Sequence, residues 1–223
     1  RKNIDEMFAE VTHLISTLEH PAAKALGAAY LDDADMMRDF RVAPAAMQIH
    51  HAWIGGLLEH TLQLMKLADA MLPNYPRLNR DIILISLFIH DMGKIEELRW
   101  DRGFEYTREG NLIGHIARGA MWLEGKAKIA EESVGEPLPD GFLTVMQHIV
   151  LSHHGLLEHG AAKLPSTPEA IFVSQLDNLD AHTQTALDCA RPWIQTAVGD
   201  EAFTERLWSL NTRLFRRDPL KTS

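Results

Sequence analysis

The residues best suited to chemistry lie in IILISLFIHDMGKIEE, residues 82–97. Ile82 to Ile89 are almost all aliphatic or aromatic, and His90-Asp91 interrupts them, followed by Met92, Gly93 and Lys94. An apolar run of this kind goes to the interior, where an ionised carboxylate is costly unless a cation, a metal or hydrogen bonds compensate it. Asp91 therefore needs a positive partner. Histidine is a good transition-metal ligand, so His90 and Asp91 are candidates to bind a metal ion together.

Further candidates recur along the chain. His60 lies in LLEHTLQLM, His115 in NLIGHIARG, His153 and His154 in IVLSHHG, and Asp177 in SQLDNLDA. Each sits within or at the end of an apolar, helix-like segment, where an uncompensated ring or carboxylate is expensive. A core histidine satisfied by a backbone carbonyl is the plain alternative for any one of them. Asp177 and Asp180 are three apart and share a helix face, so either could close a metal site. Lys94 falls one helical turn past His90, where it could meet a phosphate oxygen as a point charge or form a salt bridge to Glu96 or Glu97. His50 and His51 precede the segment of His60 and are candidates to face substrate.

These blocks resemble the HD-domain metal-dependent phosphohydrolases, and within them the YhaM-type 3′-5′ exoribonucleases. The resemblance is carried by HHAWIGGLLEHT (residues 50–61), HDMGK (90–94), EGNLIGHI (109–116), SHHG (152–155) and DNLDA (177–181), in family order over about residues 40–185. The OB-fold that precedes the HD domain of those exoribonucleases has no counterpart in these residues. The resemblance implies a two-metal centre, with His60, His90, Asp91 and Asp177 on one ion and Asp91, as a bridge, with His115 and His153 on the other. It selects Asp177 over Asp180. It leaves His154 as a further ligand or a substrate contact, and gives Asp91, Lys94 and His154 catalytic parts, with Lys94, His51 and His154 facing substrate.

The implied chemistry is hydrolysis of phosphodiester bonds by metal-activated water. Nitrogen and oxygen ligands without thiolate favour Mn, Fe, Co or Ni over a structural zinc, and Mg suits so many imidazoles less well. The substrate expected from the resemblance is a nucleotide or a single-stranded RNA end. Hydrolysis of nucleotides or cyclic dinucleotides, oxygen chemistry at a di-iron site, and a non-catalytic metal- or nucleotide-binding module are the alternatives.

The elements that must position these residues are helical. Apolar residues at steps of three and four mark a helix over residues 4–20, and others follow over 22–33 and 34–40. A long helix should run from His51 to Met71, another from Arg80 to about His90, another from Asn111 to about Ser133, and a fourth from Phe142 to His153. Ser166, with Glu169 three on, reads as a capping box opening a helix from Pro168 to about Ala190. Residues 192–216 are expected to form one or two more helices. Leu98-Arg99-Trp100 and Phe104-Glu105-Tyr106, about Asp101-Arg102-Gly103, read as a small β-hairpin.

The expectation is thus an all-α, single HD-type helical domain over residues 1–223. Its metal-binding core spans about residues 40–185, with the N-terminal helices (1–40) and C-terminal helices (192–216) packed on it. The 223 residues, 46% hydrophobic and 24% charged, suit an ordinary globular core. The formal charge of −9 argues against a broad nucleic-acid-binding face but leaves room for a small basic pocket. A single cysteine, Cys189, forbids an intrachain disulfide and suits a reducing cytoplasm. No apolar run is long enough to span a membrane.

Overall fold

The computed structural model describes residues 3–45, 53–100, 105–192 and 202–220. The chain forms two compact units, Arg1–Asp177 and Asn178–Ser223. Helices dominate: α1 (Ile4–Ser16), α2 (Pro21–Leu31), α3 (Ala34–Val42), α4 (Gly56–Met71), α5 (Arg80–Ile89), the short α6 (Lys94–Glu97), α7 (Arg108–Leu112), α8 (Gly114–Val134), α9 (Phe142–Ser152) and α10 (Pro168–Ala190). Between α6 and α7 the strands β1 (Leu98–Arg99) and β2 (Glu105–Tyr106) pair antiparallel, Leu98 opposite Tyr106. The all-α class with a small hairpin is therefore as expected; the Asp101–Gly103 turn lies outside the described residues. Among the described residues, no helix is long and apolar enough to cross a membrane.

Helix starts follow local chemistry. Asn3 Oδ1 accepts from the Asp5 N–H at 2.8 Å, Asp33 Oδ1 from Met36 at 3.0 Å, and Asn79 Oδ1 from Ile82 at 3.1 Å. His20 Nδ1 accepts from Ala22 at 3.1 Å and Pro21 opens α2, so this histidine caps a helix. At α10 the cap is Thr167, whose Oγ1 accepts from Ala170 at 3.0 Å, and not Ser166; Glu169 instead accepts from the Asn79 N–H at 3.1 Å.

Within the first unit, α5 is the central element. Ile83, Leu84, Ile85, Leu87, Phe88 and Ile89 are all buried, each worth about 1.5–3 kcal/mol of transfer free energy. It packs against α4, α2, α1 and α9. Helix α2 packs against α8 and buries the small residues Ala22, Ala23, Ala25 and Ala29. Lys126 of α8 is buried and donates to the Ala29 carbonyl at 2.7 Å and to Asp33 at 2.9 Å, tying α8 to the end of α2.

Three expectations are corrected. The helix proposed from Asn111 is two helices, because Gly114 takes a left-handed backbone (φ 77°) and turns the chain between α7 and α8. The helix holding His60 begins at Gly56, after a left-handed Gly55. In the second unit, described residues 202–216 are not helical. They fold back on themselves through Phe203↔Phe215 and Leu207↔Thr212 bridges, turning at Asn211 (φ 52°) and bringing the two phenylalanine rings to 5.3 Å between centroids, tilted by 55°.

Candidate metal centre

The end of α5 delivers His90 and Asp91 to the interior, both buried. His90 closes the helix, and its ring folds back so that Nδ1 meets the Leu87 carbonyl at 2.8 Å. His153 repeats this arrangement at the end of α9, its Nδ1 2.7 Å from the Val150 carbonyl. Carbonyls in the last turn of a helix lack an intrahelical donor, and a histidine there can supply one. A carbonyl only accepts, so Nδ1 carries the proton in both rings and Nε2 presents a lone pair to the site. His154 does the same across a loop, Nδ1 to the His159 carbonyl at 2.8 Å. Gly155, left-handed at φ 78°, then turns the chain away, and a Cβ there would lie 2.6 Å from Ser174 Oγ.

His60 enters from the buried face of α4, with Nε2 3.2 Å from Asp177 Oδ1 and 3.7 Å from Asp91 Oδ2. His115 enters from the first turn of α8. The rings form a row: His60 to His90 at 5.6 Å between centroids, His90 to His153 at 5.0 Å, and His153 to His154 at 4.4 Å, with His115 5.2 Å from His154.

Asp91 divides this row. Its Oδ2 lies 3.4 Å from His90 Nε2, on the side of His60, and 2.7 Å from Lys94 Nζ, which donates to it. Its Oδ1 lies 3.5 Å from both His115 Nε2 and His153 Nε2. Each carboxylate oxygen therefore faces its own group of imidazoles.

A metal ion fits this arrangement. Donor atoms within His60/His90/Asp91, within His90/His153/Asp177 and within His115/His153/His154 all lie within 4.8 Å of one another. Donors about 2.0–2.2 Å from a shared cation stand at such separations. His90 Nε2, His115 Nε2, His153 Nε2 and Asp91 Oδ1 are buried without a hydrogen-bond partner. Four orphaned polar atoms converging on one place would be costly to bury, and a divalent cation satisfies all of them.

The electrostatics agree. Burial is the largest influence on Asp91 and opposes its ionisation, but the Lys94 ammonium and the rings of His90 and His153 together outweigh it and hold the carboxyl well below the usual range. Burial also opposes the charge on Lys94, and Asp91, with Asp177 and Glu97 behind it, keeps its pKa above the ordinary value. Asp177, disfavoured by burial, is held down by its contact with His60. Desolvation lowers His153, and desolvation with His153 and His115 as neighbours pushes His154 down to about 3. Anionic carboxylates and neutral imidazoles are the forms that ligate metals.

The structure thus brings together His60, His90, Asp91, Lys94, His115, His153, His154 and Asp177. His50 and His51 lie outside the described residues. Asp180 is buried in the second unit, and His148 accepts from the Ser166 N–H at 2.9 Å as a structural partner. Within the HDMGK block Lys94 donates to Asp91, a partner the sequence reading does not name. Gly93 keeps a right-handed backbone (φ −58°), and glycine is required there because a Cβ would fall 2.1 Å from the His115 carbonyl oxygen. The sequence offers Glu97 only as a partner for Lys94, whereas its carboxylate meets His115 Nδ1 at 2.9 Å.

The HD-domain family model matches residues 57–182. The 3′-5′ exoribonuclease YhaM of Listeria welshimeri is 35% identical over 213 residues, covering 96% of this chain and 64% of the relative. YhaM of Geobacillus sp. WCH70 is 34% identical, covering 95% and 61%, and YhaM of Bacillus subtilis 168 is 32% identical, covering 95% and 63%. The chain therefore spans less than two thirds of the length of these relatives. No solved structure matches it.

Proposed function

Since the chain belongs to the HD-domain family, we propose that it is a metal-dependent phosphohydrolase that cleaves phosphodiester bonds from the 3′ end of single-stranded RNA. The observation that carries this reading is Asp91, with one oxygen turned toward His60 and His90 and the other toward His115 and His153. A carboxylate can bridge two cations because each oxygen has its own lone pairs. In this reading His60, His90, Asp91 and Asp177 hold one ion, and Asp91, His115, His153 and His154 the other. Divalent ions bound there would supply an activated water and charge stabilisation for the phosphoryl group.

The other parts belong to the chain. Lys94 provides a fixed ammonium for phosphoryl oxygens as their charge develops, held protonated by Asp91, Asp177 and Glu97. His154, less buried than His153 and anchored through Nδ1, stands where it can ligate or touch substrate. Donors that are all nitrogen or oxygen favour Mn, Fe, Co or Ni over a thiolate zinc site. The identity to the YhaM exoribonucleases supports RNA, and the single cysteine supports a reducing cytoplasm.

The test is manganese-dependent hydrolysis of single-stranded RNA and of bis(p-nitrophenyl) phosphate by Asp91→Ala. Losing the bridging carboxylate removes several kcal/mol of transition-state stabilisation, so activity should fall by about 10³-fold or more, with the circular dichroism spectrum unchanged. Unchanged activity in a folded variant would remove the reading. A panel of RNA, DNA, cyclic dinucleotides and mononucleotides fixes the substrate class.

A further inference from the structure

The two groups of donors around Asp91 are not equally endowed with charge. The group of His60 and His90 has two carboxylates in reach, Asp91 Oδ2 and Asp177. The group of His115, His153 and His154 has three imidazoles and the shared Asp91 Oδ1, with Asp177 in reach of His153 alone. The carboxylate beside its His115 end is Glu97, which stands behind the ring. Its oxygens lie 2.9 and 3.0 Å from His115 Nδ1, and Oε1 also accepts the His115 backbone N–H at 3.0 Å.

Glu97 is itself held firmly. Its carbonyl accepts from the Thr107 N–H at 2.9 Å, Thr107 Oγ1 donates to the Glu96 carbonyl at 2.7 Å, and Gly110 lies so close that a Cβ would be 2.3 Å from the Glu97 carbonyl oxygen. The β1–β2 hairpin closes the loop between these residues. Its side chain is 12% exposed, matching that of His115.

We propose that Glu97 is a positioning residue that makes the His115/His153/His154 group a metal subsite in its own right. Its carboxylate fixes the proton of His115 on Nδ1, turns the Nε2 lone pair toward the point that Asp91 Oδ1 and His153 Nε2 also face, and adds negative charge behind this group of donors. A carboxylate behind a metal-bound imidazole raises ligand basicity, and its loss typically lowers affinity 10- to 100-fold. The inference rests on the two-ion reading above and adds that the two ions bind with separately controlled affinities, the second through Glu97.

The experiment is calorimetric titration of the metal-free protein with Mn²⁺, with bound metal counted after desalting, for wild type, Glu97→Gln and Glu97→Ala. Glutamine keeps the size and an acceptor for the His115 N–H but removes the charge, so the start of α8 stays capped. The expected result is two ions in wild type. In Glu97→Gln the first affinity should be unchanged, the second 10- to 100-fold weaker, and turnover should recover at raised Mn²⁺. Glu97→Ala should show the same selective loss. Wild-type affinity for both ions in the two variants overturns the role of Glu97 while leaving the two-ion reading intact. Equal weakening of both ions, with a lowered melting temperature of the metal-free variant, overturns it in favour of a purely structural cap. Fewer than two ions in wild type overturns both.

Discussion

At the scale of single residues, Lys94 combines two demands that a solvated lysine would not meet. It is largely enclosed, with 16% of its side chain exposed, and its ammonium donates to the carboxylate on which the metal centre turns. Truncating a buried charge partner ordinarily exposes the other charge, but in Lys94→Met the bound ions would themselves neutralise Asp91. Metal content should therefore stay at the wild-type level. Turnover should fall by about 10²–10³-fold, the usual loss when one fixed donor to a developing oxyanion is removed. Measuring kcat and bound manganese on the same preparation checks this. If metal and rate fall in proportion, Lys94 serves the ligands and not the phosphoryl group.

Among the elements, the junction of α5, α6 and α8 decides whether the imidazoles meet. Gly93 sits where the backbone of His115 presses closest, and the atoms opposing a new Cβ are the backbone oxygen and carbon of His115, at 2.1 and 2.8 Å. Backbone cannot rotate out of the way as a side chain can. Gly93→Ala should thus cost about 1–3 kcal/mol through overpacking, seen as a lower melting temperature. By displacing the start of α8 it should weaken the ion held by His115 more than the ion held by His60 and His90. Equal retention of both ions by a variant of unchanged stability would show that α8 can shift freely. The same junction marks the limit of what the sequence reveals. His60, His90 and His153 stand out because each interrupts an apolar helical stretch, where a polar ring needs a reason. Asp177 stands out through the family pattern, and the helices from α1 to α5 through their periodicity and caps. Glu97 does not stand out, because a glutamate in a charged stretch looks solvated until a ring from eighteen residues further on is folded against it. The contact that demands Gly93 is likewise tertiary. The bridged turn at 202–216 escapes notice because Leu207, Leu210 and Leu214 imitate helical spacing while Asn211 reverses the chain.

For the whole molecule, net charge bounds how these residues could hold the RNA of the proposed reaction. With 31 acidic and 22 basic residues they carry a formal −9, which disfavours a polyanion. In the proposed reading the attraction these residues supply is then concentrated at the metal centre and Lys94, which suits gripping one terminal phosphodiester and not tracking along a strand. Counterion release gives this a measurable form. For single-stranded nucleic acid, log affinity falls against log salt with a slope of about −0.7 per phosphate neutralised. An end-gripping site neutralising one or two phosphates should lose roughly three- to sevenfold in apparent affinity for single-stranded RNA between 50 and 200 mM salt. A track of six or more contacts would lose several hundredfold over that range. The check is KM for a 5′-labelled oligoribonucleotide across salt at fixed free Mn²⁺, with bis(p-nitrophenyl) phosphate as the control that senses the centre alone. A steep slope for RNA beside a flat one for the small diester would place an extended basic path on this chain and sink the end-gripping account. Matching shallow slopes would mean that these residues carry the chemistry and the hold on one phosphate, whatever length of RNA is offered.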